Sequence, residues 1–347
     1  MKFSIGYQLP DPNDSIYEIV QDYRESISSV YFSMAGHASA RSAIQIDAQD
    51  AMIEELRAIN DLGVPATLLY NANCYGGRAI SPEFREEIVR TVGMLAEMID
   101  LKEITTTSPF VARVVKQNFS DIRVGASVNM WIGTPQAMGY LGDDFDSFYL
   151  QREYNRDFAR IRRVKAWCDA HGKQMKLLAN SGCMYACAFH SFHDNMVAHE
   201  AEISQFENAF SQSPSPCWDY MQGLSAAEAA ATFLRGSWIR PEDIGQYAPY
   251  VSEMKLATRM HSNPRRVVMA YARGRFRGNM FDLTEPGFSR RFSAHILDAE
   301  KFPKDWFERT SSCRRRCESC AYCLDTAKAM LTDKFDLESL FCSQISD

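Results

Sequence analysis

Four cysteines lie within eleven residues near the C-terminal end of the chain: Cys313, Cys317, Cys320 and Cys323. This C-x3-C-x2-C-x2-C spacing brings four thiolates close enough to surround one inorganic centre. Iron–sulfur clusters are held by four thiolates, often from runs about this tight. A structural zinc site more often uses two C-x2-C pairs that a longer stretch separates. The run therefore predicts a 4Fe-4S cluster, with zinc at Cys313–Cys323 as the alternative and a metal-free run as a third reading.

A second group of cysteines is more widely spaced. Cys183 and Cys187 are four residues apart, beside several histidines, and Cys217 lies 30 residues downstream. Cys74 follows the third predicted strand, which the fold could bring to the same place. These four thiols would complete a second cluster site. Imidazole also serves in such sites, so the nearby histidines are alternative fourth ligands. They are His190 and His193.

Length and composition limit the class of protein. The chain has 347 residues, 46% of them hydrophobic, which is enough for one large α/β barrel or two ordinary domains. A net charge of −6 argues against a general nucleic-acid binder. No secretory h-region and no apolar stretch of about 18 residues is visible, so we expect no membrane span and a cytoplasmic location. In a reducing compartment, clustered cysteines favour metal binding over disulfides.

Short apolar runs alternate with amphipathic stretches along most of the chain, which is typical of βα units. Eight runs are long enough to be strands, and they predict a closed TIM-like (β/α)8 barrel, with an open doubly wound sheet as the alternative. No G-x-G-x-x-G follows the first run, which weakens the alternative. The predicted strands are Phe3–Tyr7, Ser29–Ser33, Ala66–Tyr70, Glu103–Thr106, Arg123–Ser127, Ser147–Leu150, Met175–Leu178 and Val251–Leu256.

The chain divides into two predicted parts. Residues 1–283 form the barrel, with a long irregular insertion at 179–250 after the seventh strand. Residues 284–347 form a cysteine-rich C-terminal extension. Loops as long as the insertion are usually functional in compact domains. Because the tail cysteines follow the whole barrel and include Cys323, which would fill an open iron position, a radical S-adenosylmethionine enzyme is disfavoured.

Function in such barrels gathers at the C-terminal ends of the strands. The residues predicted there are mainly amides and cations, with Glu153 as the carboxylate and no recognisable Ser-His-Asp set. Amides and arginines suit a polar, oxygen-rich small molecule, although asparagines there also cap helices. The predicted substrate-orienting residues are Asn73, Asn129, Asn180 and Arg259. His190 or His193 is the predicted proton carrier, because imidazole titrates near neutrality.

The segment from Arg259 to Arg291 is strongly basic, with eight arginines and only two acids, Asp282 and Glu285. The simpler interpretation is a solvated surface whose arginines pair with acids elsewhere in the chain. The alternative is a cationic rim for an anionic substrate or RNA.

Three strings resemble the peptidase U-thirty-two (U32, collagenase-like) family: NSGCMYACAFHSFHDN at 180–195, ASVNMWIGTPQAM at 126–138 and SWIRPEDIGQYAPYVSEMKLATR at 237–259. The resemblance covers about residues 3 to 283. It implies a TIM-like barrel whose cluster cysteines correspond to Cys183, Cys187 and Cys217. It further implies oxygen-independent hydroxylation, which known members perform on RNA bases or on a quinone precursor, some of them as heterodimers of related subunits.

The sequence as a whole predicts an iron–sulfur redox enzyme that acts on a small polar or aromatic substrate. An electron donor protein and a related partner subunit are further expectations. RNA is disfavoured as substrate because the tail is too short for the extra domain that RNA-modifying members carry. The alternatives are a metal-dependent peptidase or hydrolase with Glu153 as its base, and a non-catalytic Fe-S partner subunit.

Overall fold

The computed structural model describes residues 1–10, 14–35, 37, 46–203, 216–292 and 294–333. Eight parallel strands form a closed barrel in chain order, and β8 pairs with β1. The strands are β1 (Lys2–Gly6), β2 (Ile27–Phe32), β3 (Ala66–Tyr70), β4 (Leu101–Thr106), β5 (Arg123–Ala126), β6 (Ser147–Tyr149), β7 (Gln174–Leu178) and β8 (Glu253–Lys255). The predicted (β/α)8 barrel is confirmed, and the doubly wound sheet is excluded because the strands close on themselves.

Helices surround the barrel and fill the insertion. Those between the strands are α1 (Ile16–Asp22), α2 (Gln49–Asp61), α3 (Pro82–Met98), α4 (Pro109–Asn118), α5 (Pro135–Gly139) and α6 (Phe158–Ala170). The insertion after β7 carries α7 (His190–Ala198), α8 (Glu200–Ile203), α9 (Pro216–Gln222) and α10 (Ala226–Arg235). After β8 come α11 (Pro264–Arg273), α12 (Trp306–Ser311) and α13 (Tyr322–Met330). The prediction of an irregular insertion is therefore wrong for much of 179–250.

Local sequence explains where several barrel helices begin. Ser81, Ser108 and Thr134 each precede a proline, and each hydroxyl accepts a hydrogen bond from a backbone N–H in the first turn. Proline fits the first helical position because its missing N–H would have no partner there anyway. These caps end each βα loop at a fixed residue, which sets where the loop side chains stand at the barrel mouth.

Charged side chains occupy the barrel interior near the N-terminal ends of the strands. Lys176 on β7 donates to both carboxylate oxygens of Glu103 at 2.9 Å, and it lies 3.2 Å from Glu253. Lys176 and Glu103 are almost fully buried. Buried charges persist only when they are paired, because taking an ion out of water costs several kcal/mol. This polar layer fills the barrel below the cavity described in the next section.

The tail folds onto the insertion instead of forming a separate body. Helix α13 packs against α10, whose Ala229, Ala230 and Ala231 are buried. Two short strands, β9 (His295–Leu297) and β10 (Leu331–Asp333), pair antiparallel beside them. Small alanine side chains let the two helices approach closely, so the helix that begins at Tyr322 is fixed relative to the insertion.

The basic segment after β8 follows the simpler of its two interpretations at several positions. Arg265 pairs with Asp14 and Asp22, and Arg266 pairs with Asp282. Further along, Arg277 pairs with Glu300, and Arg291 donates to backbone carbonyl groups. Within the described ranges, no helix combines the length and the apolar composition needed to cross a bilayer.

Candidate functional site

Three cysteines from the insertion line one cavity at the C-terminal edge of the barrel. Cys183 and Cys187 stand on the loop between β7 and α7, and Cys217 stands in α9. All three side chains are half-buried. We call them the rim cysteines. The cavity also contains Asn129 and Arg152, which follow β5 and β6, so the barrel itself provides one wall.

The rim thiols are near enough to influence one another electrostatically. The pKa of Cys217 is raised to about 11, first by burial and then by negative charge on Cys183 and Cys187. Burial also raises the pKa of Cys187, and Cys183 again adds to the effect. A thiolate is unfavourable in a half-buried place beside other thiolates. The protein alone therefore keeps Cys187 and Cys217 as thiols, whereas a bound metal would deprotonate them.

Arg152 connects the rim cysteines to the barrel. Its Nη1 donates to Cys183 Sγ at 3.0 Å, and its Nη2 lies 3.5 Å from Asn129 Oδ1. The guanidinium also lies over the Trp131 ring, 5.1 Å from the ring centroid. Arg152 is only 9% exposed. A cation held this rigidly beside a sulfur atom stabilises negative charge on that sulfur.

The loop that carries Cys183 passes very close to the segment after β8. Gly182 donates its N–H to the carbonyl of Glu285 at 3.0 Å. A Cβ atom at Gly182 would lie 2.2 Å from the carbonyl oxygen of Pro286 and 2.8 Å from Thr284 Oγ1. Only glycine permits this approach, so Gly182 fixes where the following cysteine enters the cavity.

The two histidines predicted as proton carriers or ligands lie in the same cavity. His190 and His193 stand in the first turn of α7. His190 Nε2 is 2.6 Å from the carboxylate of Asp194, and its ring contacts Trp131. Burial lowers the pKa of His190, although Asp194 opposes this effect. His190 is therefore largely neutral near pH 7 and can accept a proton.

Cys74 lies in a different cavity from the rim cysteines. That cavity also contains His37, Tyr75 and His199. The hydrogen bond from His199 lowers the pKa of the Cys74 thiol, and the N–H of Gly76 adds to the effect. The structure does not bring Cys74 to the cavity that the other three predicted ligands share. The preceding Asn73 does reach that cavity, because its Nδ2 lies 3.3 Å from Asp194 Oδ2.

The tail cysteines lie on one short segment between α12 and α13. Cys313 and Cys320 are exposed, whereas Cys317 and Cys323 are half-buried. The pKa of Cys323 is raised, first by burial and then by charge on Cys313 and Cys317. Three of the four predicted thiols therefore influence one another, as the tight spacing predicts.

Two contacts join the tail cysteines to the rim cysteines. Arg315 donates to the carbonyl of Arg235 and to Ser237 Oγ, and its guanidinium lies 4.1 Å from the centroid of the Tyr185 ring. Tyr185 stands between Cys183 and Cys187 in the chain. Glu153 lines both the rim cavity and a second cavity that includes Cys313. Neighbours of the two cysteine groups thus contact each other, and one side chain borders both cavities.

Glu153 is a buried carboxylate near both cysteine groups. It is 7% exposed, and neither of its carboxylate oxygens accepts a hydrogen bond of standard geometry from a described residue. Burial raises its pKa, while the positive charge of Arg152 opposes the shift. An acid in this setting exchanges a proton more readily near neutral pH than an exposed glutamate does.

A further cavity opens at the mouth of the barrel, next to the rim cavity. Asn129 and Arg152 line both cavities and form the wall between them. Arg259, a predicted substrate-orienting residue, lines the barrel-mouth cavity and donates to Ser33 Oγ at 3.1 Å. Lys255 at the end of β8 lines it too.

Asn180 was predicted to orient a substrate, but its side chain makes its hydrogen bonds within the protein. Its Nδ2 donates to the carbonyls of Ala257 and Leu283, and its Oδ1 accepts from the N–H of Ala257. The side chain is fully buried, so it clamps two backbone segments together. Asn180 lies just after a barrel strand, as predicted, but its amide group is occupied by these hydrogen bonds to the backbone.

Sequence reasoning assigned no role to Arg152 or Lys255, although both follow barrel strands. The sequence did show that each is a cation at the C-terminal end of a strand, which is where functional residues of such barrels lie. Their partners were not visible, since Arg152 meets Cys183 and Lys255 meets Tyr31 across the barrel.

The arrangement of possible ligands bears on the kind of metal centre. Among the described residues, no three His, Cys, Asp or Glu side chains converge closely enough to hold a single metal ion. The rim cysteines share a cavity but remain apart. A cluster of several iron and sulfide atoms is larger than one ion and binds thiolates that are farther apart.

Known proteins provide an independent comparison. No protein-family model matches the sequence. The chain is 23% identical over 274 residues to an uncharacterized protease, MJ1657, from Methanocaldococcus jannaschii, and the match covers 77% of each protein. The solved structure of the U32 peptidase Mk0906 superposes with a TM-score of 0.54 at 12% identity, covering 74% of this chain and 92% of that one. These similarities agree with the resemblance of the three motifs to the peptidase U32 family, and the superposition supports the barrel fold.

Proposed function

We propose that this protein is an iron–sulfur redox enzyme whose catalytic 4Fe-4S cluster is bound by Cys183, Cys187 and Cys217. One observation carries the proposal: these three thiols share a half-buried cavity whose wall, Asn129 and Arg152, also borders the barrel-mouth cavity. A redox centre there would adjoin a bound small molecule. The reaction class is oxygen-independent hydroxylation or a related redox step on a small polar or aromatic substrate.

The donor set fits a cluster better than a single ion. Burial and mutual repulsion raise the pKa values of Cys187 and Cys217, so the three thiolates need a positively charged centre to be stable together. Among the described residues, no three such side chains lie close enough together for one ion, and a cluster binds thiolates that are farther apart. The cavity supplies three thiols, and His190 and His193, which also line it, are candidates for the fourth ligand.

A bound cluster would supply single-electron transfer at this position. The residues of the chain would set its properties and handle protons. Arg152 donates a hydrogen bond to Cys183 and would therefore favour the reduced state of a bound cluster, because hydrogen bonds to cluster sulfurs raise the reduction potential. His190, neutral because of its burial, can accept a proton from a group in the cavity.

The tail cysteines would hold a second centre that receives electrons from a donor protein. Exposed Cys313 and Cys320 make that centre accessible from solvent. The contact between Arg315 and Tyr185, together with Glu153, links the surroundings of the two cysteine groups. Zinc is the alternative occupant of this second site, in which case it would stabilise the tail and carry no electrons.

The test is purification without oxygen, followed by analysis of iron, sulfide and zinc. The proposal predicts a brown protein with acid-labile sulfide and a broad visible absorbance that bleaches on reduction. A colourless protein that contains stoichiometric zinc and no sulfide would overturn it.

A metal-dependent peptidase is the second candidate, because the relatives are named protease and peptidase. Glu153 would be its general base, since burial raises the pKa of this carboxyl beside the cysteine cavity. The same metal analysis separates the two functions. Zinc with peptide hydrolysis that Glu153→Gln abolishes would support the peptidase.

A further inference from the structure

Lys255 stands at the end of β8 and faces the barrel-mouth cavity. Its ammonium nitrogen lies 3.7 Å from the centroid of the Tyr31 ring and 5.8 Å from that of Tyr149. Two aromatic rings therefore form part of the surroundings of the amine. The faces of the rings replace only part of the stabilisation that water gives to an ammonium group. Burial therefore disfavours the charged form of this amine.

The charges around Lys255 also disfavour its protonated form. Burial is the largest influence, and the positive charges of Arg259 and Lys176 add to it, so the pKa of Lys255 falls to about 7. Among the described residues, no carboxylate lies within ion-pair distance of this amine, since Glu103 and Glu253 contact Lys176 instead. The titratable or charged groups that face it are Tyr31, Glu103, Tyr149, Lys176, Glu253 and Arg259.

The rest of the cavity favours an anion. Among the described residues that line it are two arginines, Arg152 and Arg259, and one carboxylate, Glu285. The Nε of Arg152 is buried and has no hydrogen-bond partner among the described residues, and Arg152 as a whole is only 9% exposed. The amides of Asn71 and Asn129 provide further donors. The cavity measures about 80 Å³, which limits the ligand to a small molecule or to one end of a larger one.

We propose that the barrel-mouth cavity binds a small oxo-acid, with its carboxylate on the two arginines and its carbonyl carbon against the amine of Lys255, which reacts to form an imine. In this step the lone pair of the neutral amine forms the C–N bond, the nitrogen gives up its two protons, and the carbonyl oxygen takes up two protons and leaves as water. The imine is hydrolysed by the reverse path. No external oxidant or reductant takes part.

This activity does not depend on the cluster of the proposed function. The amine, the two arginines and the cavity belong to the barrel strands and their loops, and the step transfers no electrons. A protein without iron would therefore still form the imine, and an iron-containing protein that fails to form it would contradict this inference alone.

The test uses glyoxylate, the smallest oxo-acid, with cyanoborohydride to reduce any imine to a stable secondary amine. The full-length protein is treated near pH 7.5 and the modified lysines are identified by peptide mass mapping. We expect one carboxymethyl group on Lys255, at least tenfold faster than on exposed Lys102. At pH 7 an ordinary lysine is neutral in only roughly one molecule in two thousand, whereas an amine with a pKa of about 7 is half neutral.

Two controls connect the labelling to the cavity. Lys255→Arg keeps a cation and should abolish the labelling, with the far- and near-ultraviolet circular dichroism unchanged. Arg259→Gln should slow labelling by glyoxylate about tenfold while leaving labelling by acetaldehyde, which has no carboxylate, nearly as fast. Labelling spread evenly over surface lysines, or equal effects of Arg259→Gln on both aldehydes, would overturn the proposal.

Discussion

The two cysteine groups of this protein differ in how they are held. The rim cysteines come from two separate parts of the insertion and depend on the barrel, through Arg152 and the close passage at Gly182. The tail cysteines occupy one short exposed segment that α13 anchors to α10. The site assembled from distant segments lies beside the barrel-mouth cavity, whereas the local site is exposed to solvent. This difference matches the roles we propose for them, chemistry at the rim and electron entry at the tail.

The largest expected effect is on iron content. Cys183→Ala should remove the rim centre and Cys313→Ala the tail centre, so each variant should lose about half of the iron of the protein purified without oxygen. Colorimetric iron and sulfide counts on the wild type and both variants provide the measurement. If both variants lose all of the iron, or neither loses any, the proposal of two separate centres is wrong.

Gly182→Ala should separate the two regions without touching a ligand. The new Cβ would collide with the carbonyl of Pro286, so we expect a loss of about 1–3 kcal/mol in the free energy of unfolding. Rim iron should be lost and tail iron kept. Gly139→Ala is the matched control, because no atom lies within 4 Å of its Cβ position. Urea unfolding and iron counts compare the two; equal behaviour would show that the Gly182 passage does not control the rim site.

The fourth ligand of the rim centre can be identified by comparing Cys74→Ala with His193→Ala. Cys74 hydrogen-bonds to His199 in another cavity, so its removal should leave rim iron unchanged. His193 lines the rim cavity, and its removal should lower iron occupancy or alter the electron paramagnetic resonance spectrum of the reduced centre. The opposite pattern would mean that the loop carrying Cys74 moves to the rim when the cluster binds.

A smaller effect is expected on the rim reduction potential. Arg152→Met removes a charge-assisted hydrogen bond to Cys183. The potential of the rim centre should fall by about 60 mV, which corresponds to about 1.4 kcal/mol for one electron. Redox titration followed by paramagnetic resonance measures it, and the tail centre serves as the internal reference. An equal shift at both centres would show that the change is not local to Cys183.

The sequence was sufficient for the barrel because each strand carries its own apolar run between helix caps. Strand Ala66–Tyr70 forms with the predicted bounds. The tail cysteines were readable for the same reason, since their spacing is local. The helices of the insertion were missed between Ala179 and Tyr250, where cysteines, histidines, serines and prolines obscure the helical periodicity.

The rim site was only partly predictable, because its geometry depends on contacts between distant segments. Spacing paired Cys183 with Cys187 and suggested Cys217 and Cys74 as further ligands, and the family resemblance supported Cys217. Nothing local indicated that Cys74 would turn toward His199, or that the amide of Asn180 would be taken up by the backbone of Ala257. The same holds for Lys255, whose lowered pKa arises from rings and charges on other strands.

The contact between Arg315 and Tyr185 has a mechanical consequence. Arg315 hydrogen-bonds to Ser237 and to the carbonyl of Arg235. Its guanidinium also contacts the ring of Tyr185, which lies midway in the chain between Cys183 and Cys187. A displacement of the tail must either break the contact between Arg315 and Tyr185 or move the ring, together with Cys183 and Cys187. Movement of the tail would thus be transmitted to the loop that carries Cys183 and Cys187.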